Sequence, residues 1–143
     1  MPTIEFKGRK VDVERGTNVG AFSQLFSHAG ELAVTSESAP YVNRTGSRLL
    51  VSDIYVDATI SGANASTIRV HLYYPGNASA ATFDLTLEAA ATSAHLAEDE
   101  LGSFVLSTDA RITVEVLSVG GSPPSGVTVQ VHLSPTWLPA TEE

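Results

Sequence analysis

Short runs of alternating apolar and polar residues occupy most of the chain from residue 48 onward. Such alternation predicts β-strands, because successive side chains of a strand point to opposite faces. Turns rich in Gly, Pro, Ser and Asn separate the runs. The predicted strands are 48–60, 67–74, 82–88, 103–106, 111–118 and 127–133. Six strands with one polar face each predict an all-β fold, an antiparallel β-sandwich or jelly roll.

The alternation also predicts which side chains are buried. In the first run it places Ile54, Val56, Ala58 and Ile60 on the core face, and Asp53, Tyr55, Asp57 and Thr59 on the outer face. In the run 111–118, Thr113 is predicted to lie on the outer face, between the buried residues Ile112 and Val114.

Residues 1–40 follow a different pattern. The alternating stretches "TIEF" and "VDV" flank the glycine-bearing turn "KGRK", which predicts a short N-terminal β-hairpin or arm. Val19, Phe22, Leu25 and Phe26 have roughly helical spacing, so one or two helical turns are expected before an irregular connector that runs to Pro40. We therefore divide the chain into an arm and connector, 1–40, and a β-sandwich domain, 41–143.

Charge is unevenly distributed along this cysteine-free chain of 143 residues, whose net charge is −8. Residues 1–15 hold four basic and three acidic residues, whereas the rest holds four basic and thirteen acidic ones. An acidic body does not favour nucleic acid, and no apolar run is long enough to cross a bilayer. We expect a soluble protein that binds neither nucleic acid nor membrane.

Metal-binding and catalytic patterns are weak. His71 and His132 could meet only if their strands were neighbours, and no local spacing supplies a third zinc ligand. Asp53 and Asp57 lie on one strand face, about 13 Å apart, too far for a glycosidase pair. The acidic run "EDE" (98–100) lacks the glycine-punctuated pattern of a calcium loop.

Nucleophile and phosphate-binding patterns are also missing. No serine lies in a GxSxG motif, and no glycine-rich phosphate loop precedes a helix. The three sequon-like triplets that begin at Asn43, Asn64 and Asn77 are typical of turns. We expect no enzyme activity, no catalytic residue, no cofactor and no bound metal.

The segment "YVNRTGSRLLVSDIYVDATISGANASTIRVHLYYPG" (41–76) consists of a polar turn, an apolar strand, a short turn and a returning strand. It resembles β-sandwich modules of tailed-bacteriophage virion proteins, especially capsid decoration (auxiliary or cement) proteins. The strands "LSTDARITVEVLS" and "GVTVQVHL" extend the resemblance to roughly residues 40–133.

The resemblance implies a structural protein of the virion that is made in the host cytoplasm. Decoration proteins of this kind are typically homotrimers that bind the outer capsid surface and stabilise the shell. The expected partners are the major capsid protein and neighbouring copies of the same chain.

The arm would then bind these partners by adding strands to them, with its basic residues facing acidic groups. The predicted partner-binding residues are Ile4, Phe6, Lys7, Arg9, Lys10, Val11, Val13 and Arg15. The same stretch is also typical of an ordinary edge hairpin of the sandwich, and the sequence leaves both interpretations open.

A second function is a carbohydrate- or receptor-binding module of a phage tail or fibre. That function needs exposed aromatic side chains, for which Trp137, Tyr55, Tyr73 and Tyr74 are the candidates. Trp137 could instead close the base of the sandwich.

Deletion of residues 1–15 tests the arm. The truncated chain should stay folded, because residues 48–133 contain the alternating core, yet it should bind capsids or neighbouring copies more weakly. Neutralising Lys7, Arg9 and Lys10 together should weaken binding mainly at low salt, since exposed charges are screened beyond roughly 10 Å at 0.1 M ionic strength. Thermal unfolding and co-sedimentation with undecorated shells across a salt series measure the two effects. Loss of folding would place the hairpin in the core, and unchanged binding at every salt concentration would contradict the docking arm.

Overall fold

The computed structural model describes residues 20–141 and, in the N-terminal segment, the backbone of residues 4–5 and 10–11. Two short strands, β1 (Ile4–Glu5) and β2 (Lys10–Val11), pair antiparallel, and β2 begins at the last residue of the predicted "KGRK" turn. The residues that connect this pair to the body, 12–19, lie outside the described part of the chain.

Strands make up almost all the regular structure between residues 20 and 141. In chain order the elements are β3 (Phe22–Glu31), β4 (Tyr41–Val42), β5 (Leu49–Ile60), β6 (Ser66–Tyr73), β7 (Ser79–Leu87), β8 (Ser93–Leu96), α1 (Glu98–Leu101), β9 (Val105–Leu106), β10 (Arg111–Ser118) and β11 (Ser125–Pro135). No helix in this range is long and apolar enough to span a bilayer.

The strands form two antiparallel sheets. One has the order β4-β10-β6-β7, and the other has the order β3-β11-β5-β8, with the short β9 also paired to β5. Their inner faces supply one hydrophobic core, which includes Ile68, Val70 and Leu72 from β6 and Val129 and Val131 from β11. This arrangement confirms the predicted all-β antiparallel sandwich, while the jelly-roll connection stays a prediction.

The predicted burial is correct over most strands and wrong at two positions. Ile60 was expected in the core but is 62% exposed, because it lies at the last position of β5, where the burial alternation has ended. Thr113 was expected on an exposed outer face but is only 6% exposed. Residues 35–38 run along the edge of β10 and contribute the contacts that bury it.

The helical turns and connector expected between residues 19 and 40 are wrong over β3. Phe22 and Phe26 pack against the core, and Ser23, Leu25 and Ser27 alternate with them toward solvent. This period of two, together with the long pairing to β11, outweighs the helix-like spacing of the larger apolar residues. The expectation also missed β8 and α1, both of which have only four residues.

Asn43 fastens the turn that leads into β5. Its side chain is fully buried, and its amide nitrogen donates hydrogen bonds to the carbonyl oxygens of Ser47 and Ser107 at 2.9 and 3.0 Å. Its side-chain oxygen accepts from the backbone N–H and the hydroxyl of Thr45. The first sequon-like triplet is therefore a structural turn, as expected, with no exposed amide for a glycan.

Two adjacent glycines offer a matched test of the loop before β11. A Cβ added to Gly120 would lie 1.9 Å from the Cβ of Asn64, whereas a Cβ added to Gly121 would have its nearest neighbour at 3.8 Å. Gly120→Ala should therefore cost about 1–3 kcal/mol of unfolding free energy, because the loop must move. Gly121→Ala should be neutral or stabilise by up to about 1 kcal/mol, since it restricts the unfolded chain. Urea unfolding measures both, and equal values for the two variants would contradict this loop packing.

Candidate functional site

The partner-binding residues predicted in the arm, from Ile4 to Arg15, have side chains outside the described part of the chain. Their role in docking stays a prediction. Four other features of the described residues are candidates for function: two polar clusters on opposite sheets, a cavity between the sheets and an exposed tryptophan.

The first polar cluster lies on the outer face of the four-stranded sheet. His71 of β6 lies directly opposite Thr113 of β10, and Glu115 lies two residues further along the same strand. The segment 35–38 pairs with β10 at the other edge, where the Ser38 N–H donates to the Val114 carbonyl at 2.8 Å. That pairing brings Glu37 to the cluster.

Hydrogen bonds orient the three acid and imidazole groups. The Nε2 of His71 lies 2.7 Å from Oε1 of Glu115. The hydroxyls of Thr113, at 2.6 Å, and Tyr73 donate to Oε1 of Glu37. One ligand atom from each of Glu37, His71 and Glu115 lies within 4.8 Å of the other two.

The hydrogen bonds in this cluster favour the ionised form of Glu37. The hydrogen bonds from Thr113 and then Tyr73 lower the pKa of Glu37, because they stabilise the charged form. The hydrogen bond to Glu37 raises the pKa of Tyr73 in turn. The Tyr73 ring also stacks on the His71 ring, with centroids 5.8 Å apart, which limits how far the imidazole can turn.

An ion pair borders the cluster on the same face. Arg69 contacts both carboxylate oxygens of Asp84, at 2.7 and 3.0 Å. The Arg69 hydrogen bond lowers the pKa of Asp84. Arg69 also lies directly opposite Glu115 in the strand register, whereas the ion-pair contact of Glu115 within residues 20–141 is with His71.

The second polar cluster lies on the outer face of the five-stranded sheet. Nε2 of His95 lies 2.8 Å from Oδ1 of Asp53, and the His95 ring stacks on Tyr55 with centroids 4.2 Å apart. His132 lies on the other side of Tyr55, at a centroid distance of 5.0 Å. From the sequence, His71 and His132 could meet only if their strands were neighbours. They do not lie on neighbouring strands, because His71 is on a strand of the other sheet.

An apolar cavity of about 170 Å³ lies between the sheets. Its lining includes Phe26, Ile68 and Val129, with the serines and threonine of residues 35–38 among its polar groups. The Nδ1 atom of His28 is buried and has no hydrogen-bond partner within residues 20–141. The cavity is large enough for one small apolar group.

The remaining candidates from the sequence have structural roles. Asp57, considered as half of a carboxylate pair, accepts a hydrogen bond from Gln130 at 3.3 Å. The acids Glu98, Asp99 and Glu100 form the first turn of α1, where the helix dipole favours negative charge. Tyr55 and Tyr73 are half-buried and stacked on histidines, so they do not form an open aromatic platform.

Trp137 is the fourth feature. Its side chain is 96% exposed, and Leu138 beside it is 49% exposed. Trp137 therefore does not close the base of the sandwich. Every Phe and Tyr side chain within residues 20–141 is half-buried or buried.

Hydrogen bonds hold the backbone that carries this tryptophan. Arg48 donates from its guanidinium to the Trp137 carbonyl at 3.3 Å, and the Thr136 N–H donates to the Arg48 carbonyl at 3.1 Å. On the other side, Thr141 and Val105 exchange two hydrogen bonds of 3.0 and 2.9 Å. The tryptophan is therefore presented to solvent from a segment that is tied down at both ends.

Comparison with known proteins adds no family to this picture. No protein-family model matches the chain, and no curated protein sequence is significantly similar to it.

The Thr113 hydroxyl allows a pH test of the first cluster. Thr113→Val keeps the side-chain shape but removes the donor to Glu37, so it should cost on the order of 1 kcal/mol at pH 7. Because the folded state lowers the pKa of Glu37, this stabilisation is present above the ordinary value of 4.5 and is lost as the pH falls through the folded value. Unfolding of wild type and variant at pH 7 and pH 3 should show the difference shrinking in acid.

The matched control for this test is Thr82→Val. Thr82 lies opposite His71 on β7, is exposed and makes no side-chain hydrogen bond within residues 20–141. It should change stability by less than about 0.5 kcal/mol at either pH. A pH-independent loss for Thr113→Val, or no loss at pH 7, would contradict the role assigned to its hydroxyl.

Proposed function

We propose that this chain is a structural virion protein that binds the outer surface of a tailed-phage capsid as an oligomeric decoration protein. The resemblance of residues 40–133 to such modules supports the class of protein, and the antiparallel sandwich is compatible with it. The proposal places the protein on the outside of the virion after synthesis in the host cytoplasm. It assigns the major capsid protein and neighbouring copies, in a homotrimer, as the partners.

The exposed Trp137 is the observation that carries a binding role. A tryptophan is costly to leave in water and gains much free energy when a partner covers it, so such residues dominate many protein interfaces. The hydrogen bonds around Arg48 and Thr141 hold its backbone before binding, which reduces the entropy lost on association. Leu138 enlarges the apolar area beside it.

The outer edge of β3 supports contacts between copies. This strand ends the five-stranded sheet, and among the described residues no further strand pairs with its outer edge. Unpaired N–H and C=O groups on such an edge can accept an added strand. The predicted arm, residues 3–13, has the β periodicity needed to supply that strand from a neighbouring copy.

A carbohydrate- or receptor-binding module of a phage tail or fibre is the second candidate. Trp137 favours it as well, because an exposed indole stacks on the apolar face of a sugar. Tyr55 and Tyr73 are half-buried. Trp137 therefore has no aromatic neighbour of comparable exposure in the described part of the chain. This disfavours an extended sugar platform relative to a protein interface.

Substitution of Trp137 tests the proposal. Trp137→Ala should weaken co-sedimentation with undecorated shells of the encoding phage at least about tenfold, a loss of about 1.4 kcal/mol, as expected for an interface anchor. Its fold should be unchanged, because the side chain contributes almost no buried area. Val34→Ala is the control, since Val34 is also apolar and 61% exposed.

Three outcomes would overturn the capsid proposal. These are a wild-type chain that does not co-sediment with shells, a Trp137→Ala variant that binds as tightly as wild type, and an equal loss for Val34→Ala. Binding of the wild-type chain to a glycan array, abolished by Trp137→Ala and accompanied by no shell binding, would support the carbohydrate-binding module instead.

A further inference from the structure

The cluster on the four-stranded sheet brings together an imidazole and two carboxylates, a combination of groups typical of transition-metal sites. We propose that Glu37, His71 and Glu115 form a binding site for one divalent transition-metal ion, with Zn²⁺ as the ion that fits best. This inference is independent of the capsid-binding role, because Trp137 has no part in it.

The geometry is close to that of a metal site. Zinc binds histidine nitrogen and carboxylate oxygen at about 2.0–2.2 Å, so two ligand atoms of a tetrahedral site lie about 3.4 Å apart. His71 and Glu115 are already in contact at 2.7 Å, and all three ligand atoms lie within 4.8 Å. Three-point coordination would need His71 and Glu115 to move apart by about 0.7 Å and the exposed Glu37 side chain to approach by at most about 1.4 Å.

Charge and surroundings favour a cation at this point. Two carboxylates converge on one imidazole, and the nearby Arg69 is held by Asp84 in a two-point contact. The Thr113 and Tyr73 hydroxyls both donate to Oε1 of Glu37, which orients that carboxylate as outer-shell partners orient metal ligands. The other oxygen of Glu37 can then face the ion.

The imidazole decides the class of ion. Calcium and magnesium prefer all-oxygen sites, whereas histidine nitrogen suits zinc and its transition-metal neighbours. Three protein ligands leave the fourth tetrahedral position of zinc to water or to a group from a partner. The 2.7 Å contact between Nε2 of His71 and Oε1 of Glu115 already holds two of the three ligand atoms side by side.

Zinc titration of the full chain by calorimetry tests this site. The wild type should bind one Zn²⁺ per chain, and His71→Gln should abolish this binding. Glu37→Gln should weaken it at least about tenfold, and Thr113→Val, which removes only an orienting hydrogen bond, roughly 10–100-fold. Co²⁺ in place of Zn²⁺ should give a visible absorption band in the wild type that His71→Gln lacks.

His95→Gln is the matched control. His95 and Asp53 form an equally short histidine–carboxylate pair, 2.8 Å apart, on the other sheet, but they belong to no three-ligand group among the described residues. Zinc binding should therefore be unchanged in this variant. Thermal unfolding without metal checks that each variant is folded, and the exposed Glu37→Gln gives a result even if His71→Gln is unstable.

The proposal fails if the dissociation constant of the wild type for Zn²⁺ is above about 1 mM, which corresponds to a binding free energy of only about −4 kcal/mol. It also fails if folded His71→Gln or Glu37→Gln binds zinc like the wild type, or if His95→Gln loses binding to the same extent as His71→Gln.

Discussion

The ladder between β5 and β11 is the constraint on which the five-stranded sheet depends. These two strands pair at ten positions in the centre of the sheet, and β3 and β8 attach only to their outer edges. A bulge leaves Ser52 without a register partner on β11, between the pairs Val51–Leu133 and Asp53–His132. The extra residue lets Val51 and Ile54 both reach the core although they are three residues apart. It also turns Asp53 outward beside His132, which is how the second polar cluster arises.

In the four-stranded sheet, the pairing of the segment 35–38 with β10 positions the polar cluster. The segment 35–38 is not a regular strand, yet Thr35 and Ser38 each use a backbone N–H and a side-chain hydroxyl to pair with β10. Four hydrogen bonds thus substitute for a strand at this edge. Since Glu37 lies between the two anchor residues, its position over Thr113 follows from backbone pairing, and the hydroxyl that it accepts from is protected from water.

The sequence predicted the body because a period of two is a strong signal wherever one strand face is buried. It failed at β3, where large apolar residues at helix-like spacing hid the alternation of Phe22 and Phe26, and where pairing with β11 decides the structure. The cluster of Glu37, His71 and Glu115 was not predicted from the sequence, again because it depends on how distant segments pair. His71 and Glu115 could have been nominated from outward positions on strands 67–74 and 111–118, had those strands been known to pair. Glu37 could not, because nothing local shows that its loop runs along β10.

The negative charge of the body has opposite consequences for the proposed capsid binding and for the proposed metal site. Thirteen acidic residues outside the arm create a field that repels an acidic partner and attracts cations. Affinity for a capsid would then rest on apolar contact at Trp137, while the basic arm would supply the charge that sets register. On the sheet face, Arg69 contacts Asp84 and lies opposite Glu115, so one guanidinium is shared by two carboxylates, and Glu37 has no ion-pair partner among the described residues. A divalent ion would add positive charge beside Glu37 and Glu115, and an imidazole already lies at the place where it would bind.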